Sequence, residues 1–316
     1  MKMKVLVVCS YRDYVANGIA PFIKEQVDAL RELGVVCEFY LIKGKGIIGY
    51  LNELPRLRKT IRQYKPDIIH AHFGLSGLLV NLATRHIPIV VTYHGSDINN
   101  PKAYRYSRLS LALSKWNIFV SEKQVESVKP KEKYSVIPCG VNIDLFKIAD
   151  KQACRKVLGL EAKKKYVLFS KMFDDPVKNY PLARAAINIL KAQLKEPVEL
   201  MEFIGYSRER TMQLMNAVDA VIMTSISEGS PQFIKEAMAC GCPIVSVDVG
   251  DVKERILGVD GCYVAQTREP QELSILLSLA INHGLTKGRD KLIADGFDNQ
   301  TIAQQIIDVY NKVLSL

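Results

Sequence analysis

Short runs of β-branched and aromatic residues alternate with amphipathic segments along this chain, and that rhythm leaves few folds open. Residues 5–9, 35–42, 67–71, 89–93, 118–120 and 134–138 read as strands, with helical patterns between them. Residues 19–33 show the helical pattern clearly: Phe22, Ile23, Val27 and Leu30 share one face, and Gly34 is the stop signal. A helix after each strand supplies the crossover that parallel pairing needs, so the expected product is a parallel sheet covered on both faces. The rhythm breaks over residues 140–165, a G-V-N-I-D-L-F loop followed by a Lys-rich stretch. It then resumes with strand-like runs at 166–169, 198–204, 220–224 and 243–247. The expectation is an α/β chain of two Rossmann-like, doubly wound domains facing a cleft. Residues 1–148 form the first, residues 149–300 the second, and residues 301–316 a terminal helix that packs back toward the first.

Composition fits that plan. At 316 residues, 48% apolar and 24% charged, the chain can fill two cores of about 150 residues each, and neither disorder nor a fibre is indicated. No apolar run approaches the ~20 residues of a membrane helix, and V-L-V-V-C near the start is too short for a signal-peptide core. A cytoplasmic location is expected. The seven cysteines are odd in number and lack a CxxC pair, so neither a disulfide framework nor a zinc ribbon is implied. The net charge of +10 lies in residues 1–148, with 22 Lys/Arg against 12 Asp/Glu; residues 149–316 balance at 21 against 21. Seven bases between Lys43 and Lys65 (Lys43, Lys45, Arg56, Arg58, Lys59, Arg62, Lys65) face the single Glu53 and are interleaved with Ile47, Ile48, Tyr50, Leu51, Leu54, Leu57 and Ile61. That is the composition of an interfacial segment on an anionic membrane; a core-facing stripe of Leu54, Leu57 and Ile61 is the alternative.

The sharpest chemical signal is T-S-I-S-E-G-S-P-Q-F-I-K-E-A-M-A-C-G-C-P-I-V-S over residues 224–246, running from a strand end through a tight loop into a helix. Gly229 suits an unusual backbone angle, Ser230 a helix cap, and Pro231 the first helical position. Free amides at such a helix start suit a diphosphate or sugar hydroxyls. Glu236 shares a face with Gln232 on a nearly all-apolar helix, where a carboxylate needs donors.

These residues resemble the E-x7-E motif of the retaining GT-B glycosyltransferases of family 4. The resemblance implies that Glu228 contacts a donor sugar, that Gly229, Ser230, Pro231 and Gln232 hold sugar and phosphate, and that Glu236 binds a ribose. V-L-F-S-K-M-F-D-D-P-V-K-N-Y-P looks like the family's diphosphate clamp, placing Lys171 and Lys178 on the cations; lysine in the first place departs from arginine and loses its bidentate fork. V-T-Y-H-G-S-D resembles the H-G-x-D loop, with His94 near the donor sugar and Asp97 on the acceptor side. Gly18 matches one glycine of the N-terminal glycine-rich loop, for close approach to phosphate. The second half reads as one strand–helix unit short, and Gly205 and Tyr206 are the candidates for the nucleobase pocket.

The resulting expectation is transfer of a sugar from a nucleotide-sugar donor to a hydroxyl, with retention, in cell-surface polysaccharide or glycolipid synthesis. A lipid-linked acceptor at an anionic membrane surface is the expected partner, and nucleic acid is not. No cofactor or metal is expected: no D-x-D tripeptide occurs, and His70 and His72, on one face of a strand, lack a third ligand nearby in sequence. A non-catalytic nucleotide-sugar-binding subunit stays open as an alternative. An NAD-dependent oxidoreductase lacks its G-x-G-x-x-G after the first strand.

Overall fold

The computed structural model describes all residues except Met1, Tyr14, Val15, Met172 and Lys195. The chain divides into two compact units, residues 1–140 with 299–316, and residues 141–298. The crossing therefore falls at Gly140, earlier than residue 148, and the loop 141–148 belongs to the second unit. Phe146 there is wholly buried in the second core.

The first unit is a six-stranded, all-parallel sheet: β1 (Lys4–Ser10), β2 (Val36–Ile42), β3 (Ile68–His72), β4 (Ile89–Tyr93), β5 (Trp116–Phe119) and β6 (Tyr134–Val136), in the order β2-β1-β3-β4-β5-β6. β1 is buried at Val5, Leu6, Val7, Val8 and Cys9 because both faces are covered. One face carries the helices Pro21–Glu32 and Asn299–Ser315, which bury Ile23, Val27 and Leu30 with Ile302, Ile306, Tyr310 and Val313. The helical spacing of those terminal residues lays one apolar stripe on the sheet, and this ties residues 299–316 to the first unit.

The basic stretch forms the helices Gly46–Asn52 and Leu54–Tyr64. Leu57 and Ile61 are buried and Leu54 is partly buried against the same core, so the core-facing reading holds for them; Tyr50 is buried as well, while Ile48 and Leu51 remain exposed. Glu53 is nearly buried, accepting from the Tyr40 hydroxyl at 2.6 Å and the Lys43 amide at 3.1 Å.

The second unit is a five-stranded parallel sheet of β7 (Lys165–Phe169), β8 (Val198–Met201), β9 (Ala220–Met223), β10 (Ile244–Val247) and β11 (Cys262–Ala265), in the order β11-β10-β9-β7-β8. The edge strand β11 has no counterpart in the sequence reading. In both sheets the order reverses direction between two neighbouring strands, β1 and β3 in the first and β7 and β9 in the second. Loops at the carboxyl ends of such strands diverge and leave a crevice where ligands collect.

Candidate functional site

Lys171, Lys178 and the residues of the E-x7-E motif follow β7 and β9, the pair flanking the switch point, whereas Gly205 and Tyr206 follow the edge strand β8. Two loops are stitched together there. The Ile226 amide donates to the Val177 carbonyl at 2.8 Å, and the Thr224 hydroxyl reaches the Lys178 and Asn179 carbonyls at 2.9 Å. Arg268 donates to the carbonyls of Thr224 and Ser225 from the other side. The result brings Lys178 Nζ within 2.5 Å of Glu228 Oε1, both side chains largely shielded from water. Lys171 is half exposed and bridged to Asp175 at 3.2 Å.

Glu236 is 3% exposed, and its charge is matched by Arg208 Nη1 at 2.7 Å. The Arg208 guanidinium lies over the Phe146 ring, 4.5 Å from its centroid, a cation–π contact. Arg208 opens the helix Arg208–Ala217, capped by Ser207. Gly205, exposed at φ 55°, and Tyr206 form the turn just before it. Tyr206 packs 6.0 Å from Phe203, and Phe203 packs 5.7 Å from Phe233 on the motif helix. The two pocket candidates therefore adjoin a cation that the motif did not reveal.

The motif helix, Gln232–Ala239, differs at its start from the sequence reading. Pro231 occupies the cap position with φ −70° and ψ 120°, and no side chain caps the helix. The Ser230 hydroxyl is directed to Asp251 Oδ2 at 2.7 Å and accepts from Lys235 Nζ at 3.1 Å. Lys235 is 1% exposed and underpins the loop from within. Asp251 is buried enough to push its carboxyl above the usual range, and Lys235 and Ser230 pull it back. The left-handed glycine of these loops is Gly250 (φ 56°): a Cβ there would meet the Gly229 carbonyl oxygen at 2.5 Å. A helix start with no side-chain cap turns the positive end of its dipole toward the loop.

In the first unit, Gly18 (φ 70°) turns the loop after β1, with the Tyr11 ring where a Cβ would stand, and its carbonyl accepts from the Arg12 amide at 2.8 Å. His94 follows β4. Its ring lies between Phe22 and Phe73, with Nε2 2.9 Å from His72 Nδ1 and Nδ1 3.6 Å from Cys139 Sγ. Asp97 is a correction. It is 6% exposed, Oδ1 accepts from the His94 and Gly95 amides at 2.9 and 3.0 Å, and Oδ2 accepts from the Gly74 amide at 3.0 Å. Its carboxylate is spent on shaping the loop that carries His94, and an acceptor contact is not what this geometry offers. His70 and His72 are likewise engaged with side chains of their own unit, and no group of metal-binding side chains occurs among the described residues.

Residues 12–145 match the family described as Glycosyltransferase Family 4, and residues 174–282 match Glycosyl transferases group 1. A teichuronic acid biosynthesis glycosyltransferase of Bacillus subtilis (strain 168), TuaC, itself named as putative, is 26% identical over 220 residues, 61% of this chain and 57% of that protein. The UDP-Gal:alpha-D-GlcNAc-diphosphoundecaprenol alpha-1,3-galactosyltransferase of Escherichia coli is 26% identical over 249 residues, 65% of this chain and 64% of its own length. The chain thus spans somewhat more than half the length of these curated relatives. Among solved structures, Anabaena HepE in complex with UDP and glucose superposes with a TM-score of 0.73 at 20% identity, over 98% of this chain and 100% of that one.

Proposed function

Because this chain belongs to the GT-B glycosyltransferases of family 4, we propose that it moves a glycosyl group from a nucleotide-sugar donor to an acceptor hydroxyl, retaining the anomeric configuration. The observation that carries the reading is the pairing of opposite charges in the second unit, Lys178 with Glu228 and Arg208 with Glu236. A sugar nucleotide presents hydroxyl donors beside anionic phosphates, and a carboxylate beside a cation answers both. In this reading Glu228 accepts from sugar hydroxyls, Glu236 from ribose hydroxyls, and Lys178, Lys171 and the amides of Gly229, Ser230 and Gln232 face the diphosphate, Pro231 having no N–H to offer. Gly205 and Tyr206 border the base.

The bond from the anomeric carbon to the diphosphate oxygen breaks and one from that carbon to the acceptor oxygen forms on the same face. The acceptor's proton passes to the departing phosphate oxygen. Stabilising charge on that leaving group is the main catalytic contribution, of the oxyanion-hole type. His94 supports the sugar as positive charge develops. Lys178, Lys171 and the uncapped helix start take the place of a divalent cation, so activity is expected to survive EDTA. A phosphorylated, lipid-linked acceptor in surface polysaccharide or glycolipid synthesis fits the relative acting on a diphosphoundecaprenol-linked sugar.

The test is calorimetry with free nucleoside diphosphates and nucleotide sugars, alongside transfer assays. Glu236→Ala should weaken both ligand types alike. Glu228→Ala should leave the free diphosphate nearly unaffected and cut transfer by ~100-fold or more, the usual scale for losing one transition-state contact. Equal losses of diphosphate affinity in the two variants, or a strict Mg²⁺ or Mn²⁺ requirement, would overturn the assignment. Donor binding without transfer or hydrolysis would instead favour a binding subunit.

A further inference from the structure

Three imidazoles stand in a row at the carboxyl end of the first sheet. His70 and His72 leave β3 on the same face because strand side chains alternate, and their rings stack with centroids 4.6 Å apart. The His94 ring lies nearly parallel to that of His72, centroids 5.2 Å apart, with a nitrogen of each ring facing the other. His70 and His72 are wholly buried, and burial drives both far toward the neutral form, His70 to about 3 and His72 well below the ordinary value. A neutral imidazole has one N–H and one lone pair, so the partners of its nitrogens fix the tautomer. His70 is indifferent, since both its partners are hydroxyls: Tyr310 Oη lies 2.6 Å from Nδ1 and Thr92 Oγ1 lies 2.7 Å from Nε2.

His72 is not indifferent. Its Nδ1 is 2.9 Å from His94 Nε2, whereas its Nε2 is buried with no hydrogen-bond partner among the described residues. An orphaned N–H is rarer in protein interiors than an under-used acceptor, so the proton of His72 belongs on Nδ1, where it donates to His94 Nε2. His94 Nε2 is then an acceptor, and the proton of a neutral His94 sits on Nδ1, the nitrogen 3.6 Å from Cys139 Sγ.

We infer that His72 is a positioning residue that holds His94 in its Nδ1–H tautomer, so that His94 offers a hydrogen-bond donor and not a base. A thiol sulfur is a weak acceptor, and a sugar hydroxyl oxygen competes well for that N–H. The ring plane is set by Phe22 and Phe73, 4.9 and 4.6 Å from His94. Tyr310, on the helix Asn299–Ser315, anchors the far end of the row through His70. The consequence for chemistry rests on the sugar-side role proposed for His94; the tautomer itself does not.

The chain has five histidines, few enough for ¹⁵N-imidazole correlation spectra of the whole chain, with His86→Gln and His283→Gln used for assignment. His94 is expected to show a protonated Nδ1 and a bare Nε2. His72→Asn keeps an amide donor near the Nδ1 position and should preserve that pattern. His72→Leu removes the donor and should release His94 to the Nε2–H form that a free histidine side chain favours. If His72→Leu does not fold, the wild-type and His72→Asn spectra still decide. A wild-type His94 protonated on Nε2, or a His94 tautomer unchanged in His72→Leu, overturns the inference. If the tautomer switches as expected but transfer is unaffected, the inference stands and the role proposed for His94 falls.

Discussion

At the scale of single residues, Asp97 carries a measurable electrostatic signature. Burial pushes its carboxyl up to about 6 from 3.8, with the amides of Gly74, His94 and Gly95 opposing. The folded protein therefore binds this proton more tightly than the unfolded chain. The associated stability is fully present below pH ~4 and is lost as pH rises through about 6, by up to about 3 kcal/mol. Asp97→Asn has no such titration and turns an NH₂ toward a backbone donor, costing about 1–3 kcal/mol at any pH. Urea unfolding from pH 4 to 7 should show the wild type's advantage over Asp97→Asn shrinking as pH rises; an advantage that grows would contradict the burial argument. The same residue marks the limit of the sequence. H-G-S-D placed Asp97 correctly in the His94 loop, but its partner Gly74 is 23 positions away and leaves no trace in the pattern. Glu228, Lys178 and Glu236 were singled out by motifs that resemble the family's. Arg208 and Asp251 were not: Arg208 reaches Glu236 from another strand–helix unit, and Asp251 follows a different strand, β10.

At the scale of elements, the strand pattern was readable wherever a strand is buried on both faces, and β4 runs over the residues expected. β11 was missed because C-Y-V-A is a short, half-exposed edge strand whose pairing with β10 depends on the rest of the sheet. The start of the motif helix was misread for a related reason. S-P suggested a Ser230 cap, but Asp251 claims that hydroxyl from outside the local sequence. This docking of the 248–251 loop on the 228–230 loop predicts a sharp effect for Gly250→Ala. The added methyl meets the Gly229 carbonyl at 2.5 Å and the Glu228 Cβ at 3.2 Å, in a left-handed conformation that favours glycine. Overpacking of that kind costs about 1–3 kcal/mol, and here it also displaces the loop proposed to hold the donor. Thermal unfolding should show the loss, and nucleotide-sugar affinity should fall at least tenfold at a temperature where the variant is fully folded. Unchanged affinity would separate this loop contact from donor binding.

At the scale of the whole molecule, the charge of the chain divides as its units do: the excess positive charge lies in the first 148 residues, and within them on the stretch from Lys43 to Lys65. No helix among the described residues is long and apolar enough to cross a membrane. The structure also removes much of the apolar face from a membrane reading, because Tyr50, Leu57 and Ile61 are buried on the sheet. Exposed Ile48 and Leu51 remain, beside exposed Lys45, Arg56, Lys59, Arg62 and Lys65. Docking on an anionic surface would then be electrostatic first, about 1 kcal/mol per base near the leaflet, with shallow insertion of Ile48 second. Some of these bases also have structural duties: Arg56 bridges Glu53 at 3.4 Å, and Arg58 donates to the carbonyls of Leu82 and Ala83. The informative variant therefore spares them and replaces Lys45, Lys59 and Lys65 by Gln. With anionic vesicles at low salt, the wild type is expected to co-sediment and to be released as ionic strength shortens the screening length. The triple variant should lose most of that binding, and Ile48→Ser a smaller share that salt does not restore. Equal sedimentation with neutral vesicles, or a triple variant that binds like the wild type, would remove the membrane from the proposal and leave a soluble acceptor as the partner to seek.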